Sequence, residues 1–511
     1  MNPGEAAREE PRSDGVARGL WRDAAGSAPW GLSALLLTAF VTTPYLPMVD
    51  LPQHAAQLAV WLRLSDPSFP YADLFNVNLG TPYLTGYVAA LLLAHLVGVV
   101  AALRFVVWMA AALHLFAFSL LVRRLGHARW LGVFGLPLAL GYPFYFGMVS
   151  FEAAMPFVLL TLVAALAHRE APTWQRGLVL ALALCATVVA HGFAAGVALM
   201  MVAPLLLRGE GRFIARLLPL AAPALLWAVW LLPAGSVRTI GATIWEPRLI
   251  DLFQAPAMWF AASGADHFAM ALGYATLATF ALTFGRPSRS LERWAPLVFS
   301  IIGFCCFPAM LSGFGPLHPR FAAFMIPALL LAFEPRAVPR SPRLPLFAAA
   351  LCVCWLAVLT VRMYAFTRET RPFRDFVARM PTGLRVRPII FERNSEAFPS
   401  LPALLHLSAY YLVEKGGLQG YSFAMYPTSV IRYVPSFVPG MGGGAEWHPE
   451  TFSADAEVGS YDCFLVHSST DPGSIFGAQL GALDLDFHED AWWAYRPRDA
   501  LGGGDPSRRR P

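Results

Sequence analysis

Charge is what this sequence has least of: Asp, Glu, Lys and Arg make up only 14% of its 511 residues. A soluble chain carries about a quarter, so the shortage excludes an ordinary set of soluble domains. The net charge of +5 is too small for a nucleic-acid partner, and the positive residues sit in short clusters between apolar runs. Cysteine is scarce as well. Cys185, Cys305, Cys306, Cys352 and Cys354 fall inside apolar runs, and Cys463 stands alone in the last third. That third therefore has no internal disulfide, and no metal-type cysteine spacing occurs anywhere. The glycine patterns of dinucleotide and phosphate loops and the serine-nucleophile elbow are missing too.

Long apolar runs fill the space between Trp30 and Met363. About 20 apolar residues are needed to cross a bilayer as a helix. Candidate segments lie at 30–48, 82–101, 104–122, 130–148, 153–167, 177–191, 192–208, 213–232, 268–284, 295–312, 321–334 and 344–363. Arginine placement sets their orientation. With the N-terminus inside, the inner loops hold Arg123, Arg124, Arg129, Arg169, Arg176, Arg208, Arg212, Arg216, Arg286, Arg289, Arg293, Arg336, Arg340 and Arg343. The outer loops hold only Arg63, Arg104, Arg238, Arg248 and Arg320. This asymmetry requires an odd number of crossings between 49 and 123. The segment 82–101 is accordingly expected along the outer interface, leaving about eleven crossings. Residues 1–29 form an expected disordered cytoplasmic tail with no cleavable signal pattern, and 501–511 a second disordered tail.

The polar residues that interrupt this pattern gather on the expected outer side. The outer loop 49–81 opens on Asp50, Leu51, Pro52, Gln53 and His54. Pro52 suits a first helical turn and Asp50 an N-cap. The run behind them reads as an amphipathic helix at the membrane surface, with Asp50 and His54 one turn apart on a shared face. Glu152 falls at a hairpin between two apolar runs, where a carboxylate is costly unless it faces protein or water. His191 lies in the middle of an apolar stretch, beside a Gly192 that can break the helix. Arg320, next to His318, opens a span and is suited to gripping a phosphate through two parallel hydrogen bonds. Each has a plain structural reading: a cap, a headgroup contact, a packed histidine, an interfacial arginine. Together they offer two acids and a phosphate-holding cation, the requirements of transfer from a phosphate leaving group.

After Met363 the pattern alternates as in a small α/β unit, residues 364–500. Helices are expected at 369–380 and 402–415, the second stopped by Gly416 and Gly417. Strands are expected at 383–393 and 460–469, with a closing strand pair at 483–498. His406 and Tyr410 share a face of the expected second helix and can point toward the membrane site. The pair Asp484 and Asp486 matches a nucleotide-sugar motif over only three residues, and it is read as part of a strand.

This layout resembles the GT-C superfamily of integral membrane glycosyltransferases. The resemblance rests on VDLPQH after the first span, the GYPFYFGMVSFE hairpin, the broken stretch TVVAHGFAAGVALMM, and a soluble C-terminal unit containing PALLHLSAYYLVEKGGLQGYSFA. It implies a mainly α, polytopic transmembrane bundle over 30–363 with an extracytoplasmic C-terminal α/β domain, in a bacterial inner membrane. The implied reaction moves a sugar from a polyprenyl-phosphate donor to a glycan, lipid or protein acceptor. Asp50 and Glu152 would be catalytic, and His54, His191, His318, Arg320, His406 and Tyr410 would bind substrate. The chain departs from the family in having one acid at Asp50 where several branches have an adjacent pair. A divalent metal therefore stays open. Two other readings also stay open: a non-catalytic scaffold of the same fold, and a transporter, which should show midplane charges and an internal repeat.

Overall fold

The computed structural model describes residues 30–234, 243–245, 249–311, 315–336, 341, 343–437 and 444–498. The two expected tails lie outside the described residues, as do Arg238, Arg248 and Arg340. Three helices are long and apolar enough to cross a membrane: Val99–Arg124, Val149–Glu170, and the one that opens at Leu344. At 1.5 Å per residue the 26-residue Val99–Arg124 helix spans about 39 Å. Shorter apolar helices pack around these, among them Trp30–Thr42, Leu84–Val97, Trp174–Ala190, Gly192–Leu207 and His267–Thr283. Hydroxyls inside them return to the preceding turn, as with Thr187 to Ala183 O and Thr279 to Ala275 O. The hydroxyl hydrogens of these threonines then do not face an apolar surround.

One expected segment differs. The run 130–148 is not one helix. It breaks into Arg129–Phe134, Gly135–Ala139 and Tyr142–Tyr145. Glycines and prolines cut it, and Gly135 is pressed so closely on Leu115 that a Cβ there would lie 2.9 Å from its Cα. Apolar content was read there as helix, but the backbone is bent to fit its neighbours. The Leu84–Val97 helix is only 14 residues long, short of the roughly 20 that a crossing needs. Gly98, at a positive φ of 79°, separates it from the next helix.

The loops at one end of the bundle are tied together. Arg124 pairs with Glu170, Arg169 with Glu292, and Arg286 with Glu334. Arg216 is buried and donates to the carbonyls of Leu206, Leu207, Gly209 and Gly211, closing the end of the Gly192–Leu207 helix. These expected inner-loop arginines thus share one end of the molecule, and some have structural work there. Asp50, His191, His318 and Arg320 lie at the other end.

Residues after Met363 build a five-stranded sheet in the order 418–419, 385–390, 463–467, 492–497, 483–489. The first three strands run parallel and the last two close as an antiparallel hairpin. Asp484 and Asp486 sit on this edge hairpin, paired with Arg498 and Arg496. The expected helix 402–415 is mostly turns, with a 3-10 stretch at Leu407–Ala409 and a helix only at Tyr410–Lys415. Gly416 ends it in the left-handed conformation, as its sequence position implies.

The outer loop joins the two parts. A short strand, Phe75–Val77, pairs antiparallel with Ile431–Tyr433. Arg63 donates to Leu412 O at 2.6 Å and Val413 O at 2.7 Å. The Leu51–Arg63 helix differs from its expected place on the membrane surface. Nine of its thirteen residues are buried, including Gln53 and Gln57, so it is held between the bundle and the C-terminal part. One apolar core runs without a break from Leu32 in the first helix to Ala494 in the last strand.

Candidate active site

A cavity of about 1170 Å³ opens where the bundle end, the outer loop and the C-terminal part meet. This exceeds the roughly 300–1,000 Å³ of ordinary small-molecule sites and can hold a sugar together with a phosphate headgroup. Asp50, His54, His191, His318, Arg320 and His406 all line it.

Asp50 is placed by backbone contacts. Val49 N donates to Tyr145 O, and Asp50 N to Phe146 O at 3.1 Å. Gly147 lies directly beneath, at φ +75°, and a Cβ on it would stand 2.6 Å from Asp50 N. The close approach therefore needs glycine. Asp50 precedes the Leu51–Arg63 helix, but its side chain makes no capping hydrogen bond. The carboxylate is free for the cavity, where it is 26% exposed. Burial pushes its pKa up to about 6, against the pull of His406 and Arg320. A carboxylate titrating there is ionised at neutral pH yet basic enough to take a proton.

Arg320 stands in the His318–Phe321 turn. Its Nε donates to Pro316 O at 2.9 Å, and its guanidinium faces the rings of Phe151 and Phe193 at 5.7 and 5.8 Å. Among the described residues no carboxylate forms an ion pair with it. The aromatic faces thus hold the charge without neutralising it. His191 has extended backbone between two helices, and its Nδ1 accepts from Ala194 N. The break expected beside Gly192 is there, with the imidazole as its cap. His54 meets the Tyr87 hydroxyl through Nδ1, and burial pushes its pKa down to about 4. It is neutral at physiological pH and serves as a hydrogen-bonding group.

Two expected site residues stand elsewhere. Tyr410 is stacked on Tyr45 at 3.9 Å and does not line the cavity. The shared helix face with His406 does not exist, because residue 406 precedes the helix and sits in a turn. Glu152 is 3% exposed on the first turn of the Val149–Glu170 helix. Its neighbours Ser150 and Phe151 reach the cavity and it does not. Pro156, one turn on, cannot donate to the Glu152 carbonyl, so the helix is weakened at this place.

Several lining residues carry no sequence signal. Tyr421 lies parallel to the His406 ring at 5.2 Å, and its hydroxyl contacts that of Tyr426. Glu446 is fully buried, and its Oε2 accepts from His406 Nδ1 at 2.8 Å. Its Oε1 accepts from Ser408 and Gln419. The other ring nitrogen, His406 Nε2, stands 3.8 Å from Asp50 Oδ1. Glu446 falls in a glycine-rich stretch without periodicity, and only the tertiary fold brings it to His406. No group of three His, Cys, Asp or Glu side chains among the described residues is placed to hold a metal ion. The acids and histidine stand in a row, not around a point.

No family model matches the sequence, and no curated protein does. Among solved structures, the chain is similar to a single-particle cryo-EM structure of the arabinofuranosyltransferase AftD from Mycobacteria. The TM-score is 0.52, the identity 14%, and the likeness covers 93% of this chain. The fold is similar to that structure's. The chain spans only 41% of that structure's length, and at this identity the likeness speaks for architecture alone.

Proposed function

We propose that this chain is a membrane glycosyltransferase that moves a sugar from a polyprenyl-phosphate donor to a hydroxyl acceptor at the extracytoplasmic face. The observation that carries this reading is that Asp50 and Arg320 line one cavity, the acid titrating near 6 and the cation facing aromatic rings. The polyprenyl tail runs between apolar helices with its phosphate on Arg320. Asp50 takes the proton of the acceptor hydroxyl as that oxygen bonds to the anomeric carbon. The bond from this carbon to the phosphate oxygen breaks, and polyprenyl phosphate leaves with its negative charge on Arg320. His318 and His191 border the donor side, and His54 orients the acceptor. Residues 364–500 are a domain that walls the cavity from outside. The arginine-bearing loops tied together at the far end support an inner-membrane orientation with an internal N-terminus. The donor set does not fit a protein-held metal, and no step uses one.

The test is release of farnesyl phosphate from synthetic farnesyl-phosphoryl sugars by the purified protein in nanodiscs. The panel includes arabinofuranose, the sugar in the structural neighbour's name. Release with wild type and not with Asp50→Asn is the expected result. No release from any member of the panel, with added membrane extract as acceptor, contradicts it.

A further inference from the structure

Asp50 belongs to the outer loop, yet an imidazole from far along the chain, His406, stands 3.8 Å from its carboxylate. His406 is 1% exposed and Glu446 0% exposed, so neither is a general surface group. A carboxylate with no water around it needs a positive or hydrogen-donating partner. Glu446 has three donors: His406, Ser408 and Gln419. With Nδ1–H committed to Glu446, the ring has one free edge, Nε2, and that edge faces Asp50 at 3.8 Å. A bare nitrogen lone pair beside an ionised carboxylate would be repulsive, and a proton on Nε2 makes the contact attractive. Tyr421 against the ring face holds the imidazole in this plane.

We propose that the buried Glu446–His406 pair is a positioning device for Asp50: Glu446 anchors the imidazole through Nδ1, and the Nε2 edge this presents keeps the Asp50 carboxylate ionised and aimed into the cavity. The C-terminal part then completes the active site. This rests on the reading of Asp50 as the base. Other groups also face Asp50 and His406. They are Arg320 from the bundle, His54 on the outer-loop helix, Tyr87 from the Leu84–Val97 helix, and Tyr421 and Tyr426 from the C-terminal part. Of these only Arg320 is a permanent cation, and it acts on Asp50 in the same direction as His406. Replacing His406 therefore removes one of two supports and leaves the other in place.

The experiment needs no substrate. The Asp50 carboxyl stretch is titrated by infrared difference spectroscopy on the full chain in detergent, with Asp50→Asn subtracted to isolate the band. Wild type should show a midpoint near 6. His406→Gln should move it up by one pH unit or more. Glu446→Gln should move it in the same direction, because the ring loses the carboxylate that fixes its Nε2 edge at Asp50. Thermal melting checks that each variant is folded. If Glu446→Gln is lost from the membrane, His406→Gln at the cavity wall decides alone. An unmoved midpoint in a folded His406→Gln protein overturns the inference. Loss of sugar transfer plays no part in this readout, so failure here is distinct from failure of the glycosyltransferase reading.

Discussion

Two stretches of chain, 48–54 and 145–152, run against each other at the end of the bundle, and each carries one acid. Asp50 and Glu152 look alike in sequence: a lone carboxylate beside a long apolar run. Their surroundings differ. Asp50 precedes a helix without capping it and opens into the cavity. Glu152 lies buried in the first turn of a helix, and the two residues before it, Ser150 and Phe151, take the cavity positions. An acid can exchange a proton with a substrate only if the substrate reaches it. By that criterion the cavity is open to the outer-loop acid and not to Glu152.

The comparison breaks most sharply at Asp50. Asp50→Asn should lower transfer by about 10²- to 10⁴-fold, the usual worth of a general base, with expression unchanged. In wild type, kcat/KM should fall as the pH drops through about 6, because the base must be ionised and its pKa is raised to that value. A flat profile across this range would separate Asp50 from the proton transfer. Arg320→Gln comes next. A cation that meets charge only as the phosphate departs contributes about 10²- to 10³-fold, and the loss should appear mainly in kcat. Gly147→Ala tests the contact between the two stretches. A methyl group 2.6 Å from Asp50 N, at a backbone angle of +75°, should cost about 1–3 kcal/mol, read as a lower melting temperature in detergent. Glu152→Gln sharpens the contrast by its small effect: transfer should stay within about tenfold of wild type, well short of a lost general base.

Much of the architecture was legible because apolar runs and arginine clusters are properties of composition, and strands announce themselves by β-branched and aromatic residues. The hairpin at 483–497 and the glycine end of the Tyr410–Lys415 helix follow from local rules. The stretch 130–148 did not, since hydropathy cannot distinguish a span from a bent segment whose glycines are dictated by Leu115 and Trp259. Asp50 stood out as the single acid after the first span. The buried Glu446 behind His406 did not. His406 and Glu446 are forty residues apart and meet only through the tertiary fold, and a four-residue spacing such as 406 to 410 means a shared face only where the backbone is helical. Glu152 misled for the opposite reason. Depth along the helix was legible, but which side faced the cavity was decided by packing.

The most direct test of the central claim compares lipid-linked sugars by mass spectrometry in cells carrying the wild-type chain or Asp50→Asn. The account predicts that a polyprenyl-phosphate sugar accumulates in the variant, and its mass identifies the donor. Matching pools with the variant stably expressed would contradict it and favour a scaffold of GT-C-like fold.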